Sequence, residues 1–344
     1  HIIKEEKIDA VFIITDPRYF DWLFSIENEV RKKTPIIYLN IWDDLPAPMY
    51  NKAFYESCDA LLGISKQTVN INKMVLGEKA KNKIIDYVPH GLNPKMFFPL
   101  DKTSEEFIKF KKDATRNKEK DFILFFNSRN IRRKSIPDAL LAWKYFLDTL
   151  PKEKADKCLF ILHTELISDH GTDLQAVEGW GLSLTEALLT GTPIIANVTG
   201  GMQDQMRFED ETGEWYTPNP EVPSNHRKTY TKCGKWAFPV FPSNLSLVGS
   251  PQTPYIWDDR CNPEDAVTHI TSLYNMTREE REKLGKEGYD WAHSEEAGFT
   301  SPQMAEKVIK SVDKLFNSWK PRPNYELINA NEIKENRVPH KLLY

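Results

Sequence analysis

Short runs of apolar, mostly β-branched residues recur through the first hundred positions, each followed by a polar stretch of helical character: Ala10 to Thr15, Pro35 to Leu39, Ala60 to Ile64 and Ile84 to Val88. Such alternation predicts a parallel sheet wrapped by helices. The segment Pro89-His90-Gly91-Leu92-Asn93-Pro94 breaks the pattern, and a charged stretch from Asp101 to Asp121 follows it, which marks a domain boundary. Phe122 to Phe126 is a continuous apolar run, the signature of a strand buried on both faces, and it opens a second α/β unit. Ile136, Leu140, Trp143, Leu147 and Leu150 then recur at helical spacing behind Ser135 as N-cap. Leu159 to Leu162 and Pro193 to Ala196 predict further strands, with a helix before the latter ending at Gly191.

From Tyr216 to Ile256 the periodicity dissolves into Pro, Ser, Asn, Lys and aromatic residues, and helical spacing returns at Pro263 to Tyr274, Thr277 to Ala292 and Ser301 to Trp319. The expected organisation is a first domain over residues 1–100, a second over 101–300 with an irregular insertion at 216–256, and a C-terminal helix and tail over 301–344 that packs back on the first domain.

Composition narrows the class without changing this picture. The 344 residues are 40% hydrophobic, 28% charged and 12% aromatic, a globular profile with room for two cores. Lys plus Arg is 46 and Asp plus Glu is 50, so the net charge of −4 is not the footprint of a general nucleic-acid or anionic-membrane binder. Cys58, Cys158, Cys233 and Cys261 are scattered, with no metal-binding or disulfide spacing. No apolar run approaches the roughly 20 residues of a membrane span. These features predict a cytoplasmic protein with reduced thiols.

Two segments carry candidate chemistry. In Val177 to Ala196, Glu178 and Glu186 are separated by seven residues and flank a Gly-Trp-Gly turn that leads into a helix. A helix start beside two glycines lets backbone N–H groups approach an anionic or hydroxyl-rich ligand, and carboxylates are natural acceptors for sugar hydroxyls. In Asn127 to Ser135, Arg129, Arg132, Arg133 and Lys134 lie between a buried strand and a helix start. Ligands of doubly wound sheets bind at that edge, where basic residues can neutralise a pyrophosphate. Spacing alone leaves open a plain turn with solvated glutamates in the first segment and a solvated basic loop in the second.

Taken together, the two segments resemble the retaining, family-four glycosyltransferases of the GT-B fold. That family carries an Arg, a Lys five positions later, and a Glu-x-Phe-Gly-Leu-x-x-x-Glu type signature, matched here by Arg129, Lys134, Glu178-Gly179-Trp180-Gly181-Leu182 and Glu186. Asp59 to Lys66, Val88 to Phe97, Gly191 to Ala196 and Gly200-Gly201 match in register, so the resemblance spans about residues 9 to 215. It implies two Rossmann-like domains facing a cleft, with parallel sheets and flanking helices, and transfer of a sugar from a nucleotide-diphosphate donor to a hydroxyl acceptor with retention of configuration. It places Arg129 and Lys134 on the donor diphosphate, Glu186 on the ribose hydroxyls, and Glu178 with the Gly179, Trp180, Gly181 and Leu182 backbone at the transferred sugar. The donor is then a substrate, with no further cofactor. A metal is not expected, since the chain has no Asp-x-Asp triplet and Arg and Lys can stabilise the departing phosphate alone.

Two departures stand out. Where the family has a His after a strand like Pro35 to Leu39, this chain has Asn40-Ile41-Trp42-Asp43-Asp44. Either Asp43 or Asp44 takes over an acceptor-side contact, or the acceptor chemistry differs, and a catalytically silent sugar-nucleotide-binding protein is the alternative. His90 reads as structural. The first domain is also expected to lack its opening strand, and a discontinuity is expected between about Gly171 and Glu178. Finally, Gly200 to Met206 resembles bacteriophage glycosyltransferases, which would make a hydroxymethylated base in DNA the acceptor; the oligomeric state is not legible.

Overall fold

The computed structural model describes residues 2–128, 136–164, 182–249 and 255–322. Strands and the helices of eight or more residues are numbered here in chain order. The first lobe is a four-stranded parallel sheet, ordered β1 (Val11–Ile14), β2 (Ile36–Asn40), β3 (Ala60–Gly63) and β4 (Ile84–Tyr87). β2 and β3 are buried along their whole length, which is why they read as unbroken apolar runs. Helix α1 (Lys66–Leu76) follows β3, capped by the Ser65 side chain accepting from Thr68 N–H.

The second lobe pairs β5 (Phe122–Asn127) with β6 (Cys158–His163) and β7 (Ile194–Asn197) with β8 (Ala237–Val240), both in parallel. The helices are α2 (Glu105–Ala114), α3 (Ile136–Asp148) and α4 (Leu182–Leu189), then α5 (Pro263–Asn275), α6 (Arg278–Ala292) and α7 (Ser301–Ser318). Thr277 heads α6 with a complete capping box to Glu280, and Thr300 heads α7 with one to Gln303. Phe122, Phe146, Ile270 and Leu273 close the core between β5, α3 and α5.

The segment 216–256, expected to be irregular, is corrected in part: it contains β8 and also β9 (Asn244–Val248), which forms an antiparallel ribbon with β10 (Ile256–Arg260). Trp236 is the physical reason. It is 6% exposed, stacks on Trp291 at 5.0 Å and donates its indole N–H to Gln205 O, which fixes the following residues beside β7. All four cysteines are free, with Cys58 and Cys158 buried. The expected discontinuity near 171–178 falls outside the described residues. Among the described residues no helix is long and apolar enough to cross a membrane.

One apolar cluster joins the lobes. It runs from Ile37, Leu39 and Leu62 of the first sheet to Leu188, Ile194, Trp236, Trp291, Phe299 and Leu315. α7 packs on β3 and β4, with Lys314 paired to Asp86 at 3.1 Å. The chain crosses between lobes near residues 88–94 and 297–301, and the crossings bond to each other: Leu92 N–H donates to Phe299 O at 3.0 Å, and Ser301 N–H to Leu92 O at 2.8 Å. Gly91 permits this approach, because a Cβ there would lie 2.4 Å from Thr300 O.

Gly285 serves the same purpose on α6. A Cβ there would lie 2.0 Å from the Gly191 carbonyl oxygen at the turn between α4 and β7. The obstructing atoms are backbone, so no rotamer change relieves them. Gly285→Ala is expected to lower the unfolding free energy by about 2 kcal/mol or more, the cost of overpacking a rigid contact, read as a lower urea midpoint at unchanged m-value.

Candidate functional site

In an open parallel sheet the loops that follow the strands gather at their carboxyl edge. Asn127 and His163 end β5 and β6 and are register partners, so they stand side by side at that edge. The His163 Nδ1 lies 2.8 Å from Asn127 Oδ1, and Asn127 Nδ2 donates to Glu186 Oε2 at 3.4 Å. Ser183, in the first turn of α4, donates its hydroxyl to the Asn127 carbonyl at 3.2 Å. Two independent bonds therefore dock the start of α4 on the end of β5. Burial pushes the Glu186 carboxyl above its ordinary range, opposed by the hydrogen bond from Asn127 and the field of His163.

Helix α4 divides its faces accordingly. Thr185, Leu188 and Leu189 are buried, and the Thr185 hydroxyl donates to Gln205 Oε1 at 2.8 Å. Glu186 stays half-exposed and Leu182 is 40% exposed. Of the expected donor-side residues, Leu182 and Glu186 lie on this described helix. Arg129, Lys134, Glu178, Gly179, Trp180 and Gly181 lie outside the described residues. Asn127 and His163 are not among the expected site residues, although each directly follows an apolar run that predicts a strand, the position where an α/β sheet presents its ligand contacts.

A second polar cluster sits where the lobes meet. Asp43 is 3% exposed, its Oδ2 accepts from Gly201 N–H at 3.2 Å, and its carbonyl accepts from Gln67 Nε2. Asp43 thus ties the loop after β2 to the loop after β7, and Asp44, half-buried beside it, accepts from the Trp42 indole N–H through its backbone carbonyl. Gln203 Nε2 donates to Gln67 Oε1 at 2.5 Å while its own Oε1 accepts from Asn225 N–H at 2.9 Å.

Asp204 completes the contact. Its Oδ2 accepts from the Lys66 N–H at 2.8 Å, so a carboxylate of the second lobe caps the first turn of α1 in the first. Lys66 Nζ lies 3.5 Å from the centre of the Trp215 ring and donates to Trp215 O, Tyr216 O and Thr217 Oγ1. Burial raises the Asp204 carboxyl to about 7 and lowers the Lys66 amine to about 8, each partly offset by the other's charge. His90, in the crossing itself, has its pKa lowered by burial. Among the described residues no group of three or more His, Cys, Asp or Glu side chains is gathered as metal ligands would be.

No family model matches the chain, and no curated protein does. Solved structures do. HepE from Anabaena, solved with UDP, with UDP and glucose, and with UDP-glucose, is similar at 11% identity with a TM-score of 0.58, covering 91% of this chain and 80% of its own. A glycosyltransferase from Rickettsia africae matches at 13% identity and a TM-score of 0.54, over 92% of this chain and 79% of its own. The α,α-trehalose 6-phosphate synthase of Burkholderia multivorans matches at 9% identity and a TM-score of 0.56, over 91% and 73%. At these identities the likeness is one of architecture, and it shows the GT-B fold: two Rossmann-like domains with parallel sheets and flanking helices, facing a cleft.

Proposed function

We propose that this protein is a glycosyltransferase that moves a sugar from a nucleoside-diphosphate donor to a hydroxyl acceptor with retention of anomeric configuration. The observation that carries the reading is the junction of Asn127 with Ser183 and Glu186 at the carboxyl edge of β5. Arg129 and Lys134 follow Asn127 in the chain, and Glu178 precedes α4. The UDP and UDP-glucose bound to HepE support a uridine donor.

In this reading Glu186 accepts from the ribose hydroxyls, and Arg129 and Lys134 neutralise the diphosphate. Glu178 and the backbone of Gly179 to Leu182 hold the transferred sugar. The acceptor oxygen forms its bond to the anomeric carbon as the bond to the phosphate oxygen breaks, on the same face, and the hydroxyl proton leaves with the phosphate. Negative charge grows on the departing diphosphate, and fixed cations stabilise it there more than in the ground state.

Asp43 favours one second reading. It lies in the segment Asn40 to Asp44, where the resembling family has a His, and its carboxylate is engaged by Gly201 N–H, as suits a chain that binds a sugar nucleotide without turning it over. Incubation with a panel of UDP- and GDP-sugars and with candidate acceptors, hydroxymethylated DNA included, separates the two. Release of nucleoside diphosphate with a product of retained configuration by NMR is the expected result. Saturable UDP binding with no donor consumed supports the silent reading, and no nucleotide binding at all rejects both.

A further inference from the structure

We infer that Asn127 and His163 form a positioning relay for Glu186, so that recognition of the nucleotide ribose depends on two residues that need not touch it. The inference rests on the donor-site reading above. Its structural basis is a chain of three polar groups whose orientations determine one another.

An ionised carboxylate only accepts hydrogen bonds, so the atom that Asn127 presents to Glu186 Oε2 must be its amide nitrogen. That choice turns the amide oxygen towards His163. An oxygen facing Nδ1 at 2.8 Å requires a proton on Nδ1. The charge on Glu186 thereby selects the rotamer of Asn127, and Asn127 selects a His163 form protonated at Nδ1. Read in the other direction, the His163 N–H holds the amide against flipping and keeps its NH₂ group on the glutamate.

The surroundings fix both ends. His163 lies with its ring roughly parallel to Phe125, 22° between planes and 6.5 Å between centres, while Ser183 holds the backbone of Asn127 to α4. Among the described residues the amide supplies the side-chain hydrogen bond that opposes the burial of Glu186, keeping a charged acceptor available for hydroxyl groups. Without it Glu186 would protonate more readily and turn freely.

The test compares binding of UDP and of 2′,3′-dideoxy-UDP by calorimetry, because their ratio isolates the ribose hydroxyls. Wild-type protein is expected to prefer UDP by about tenfold or more, the usual range for hydrogen bonds to a charged group, and Glu186→Ala to abolish the preference. Asn127→Leu removes the amide at similar volume and is expected to shrink the preference at least about threefold. Combined with Glu186→Ala it should add nothing further to the ratio. His163→Phe, at an exposed position, keeps a ring beside Phe125 and is expected to produce a smaller loss of the same kind.

A merely structural role would weaken both nucleotides equally and leave the ratio intact. If the wild type distinguishes the two nucleotides and Asn127→Leu and His163→Phe distinguish them as well as it does, the relay is refuted while the donor site stands. Failure of the wild-type protein to bind either nucleotide overturns the donor site and the relay with it.

Discussion

Asp204→Leu is expected to cost about 2–3 kcal/mol of stability at neutral pH, measured by urea unfolding. The substitution leaves the Lys66 N–H buried without an acceptor, a loss of about 1–3 kcal/mol, and removes the negative field that offsets the burial of the Lys66 ammonium. Asp204→Asn keeps an acceptor for that N–H and should cost less. The pH dependence carries a definite sign. The folded-state carboxyl is raised to about 7 from an ordinary 3.8, so the native state holds a proton that the unfolded chain has released. Stability from this group is therefore greatest below pH 4 and declines as pH rises from 4 to 7. The gap between wild type and Asp204→Leu should widen on acidification through that window, and a gap that narrows there would contradict the assignment.

Arg129→Ala and Lys134→Ala are each expected to lower donor turnover by at least about tenfold while leaving the urea midpoint unchanged. Removing a charged hydrogen-bonding partner typically costs about 1.5–3 kcal/mol, and for groups that act on the leaving diphosphate the loss falls mainly on kcat. Glu186→Ala differs in kind: it should weaken the free nucleoside as well as the donor, since its proposed contact is the ribose. A chelator should leave turnover unchanged, as the proposed cations are side chains. Wild-type turnover in all three variants would remove the assignment of this site.

β2 and β3 are legible because they are buried on both faces and so write themselves as apolar runs, whereas β5, expected to be buried on both faces, turns Ile123 and Phe125 outward, with Phe125 60% exposed. β2, expected at Pro35 to Leu39, is found at Ile36–Asn40, and β5, expected at Phe122 to Phe126, extends one residue to Asn127. That residue joins the candidate site, and as a polar group behind an apolar run it reads in the sequence as the start of the loop. β8 was invisible for a different reason. Pro239 sits in its centre, paired with Ala196, and a proline within a short run argues against a strand unless one side needs no ladder bond. The contact between lobes was illegible altogether, because Asp43 with Gly201, Gln67 with Gln203 and Lys66 with Asp204 join positions more than a hundred residues apart. Local periodicity carries no trace of such pairs. The roles of Arg129, Lys134, Glu178 and Glu186 rest on a family resemblance, since spacing alone leaves simple turns and solvated charges open.

The mutual bonding of the two crossings limits how the lobes can move. Here both passages are tied within the pair of hydrogen bonds that link Leu92 to Phe299 and Ser301, which makes them a single ribbon. A shift of one passage is therefore carried to the other through these two bonds. Gly91 is where the passages come closest, so any side chain placed there would push the ribbon apart and separate both connections at once.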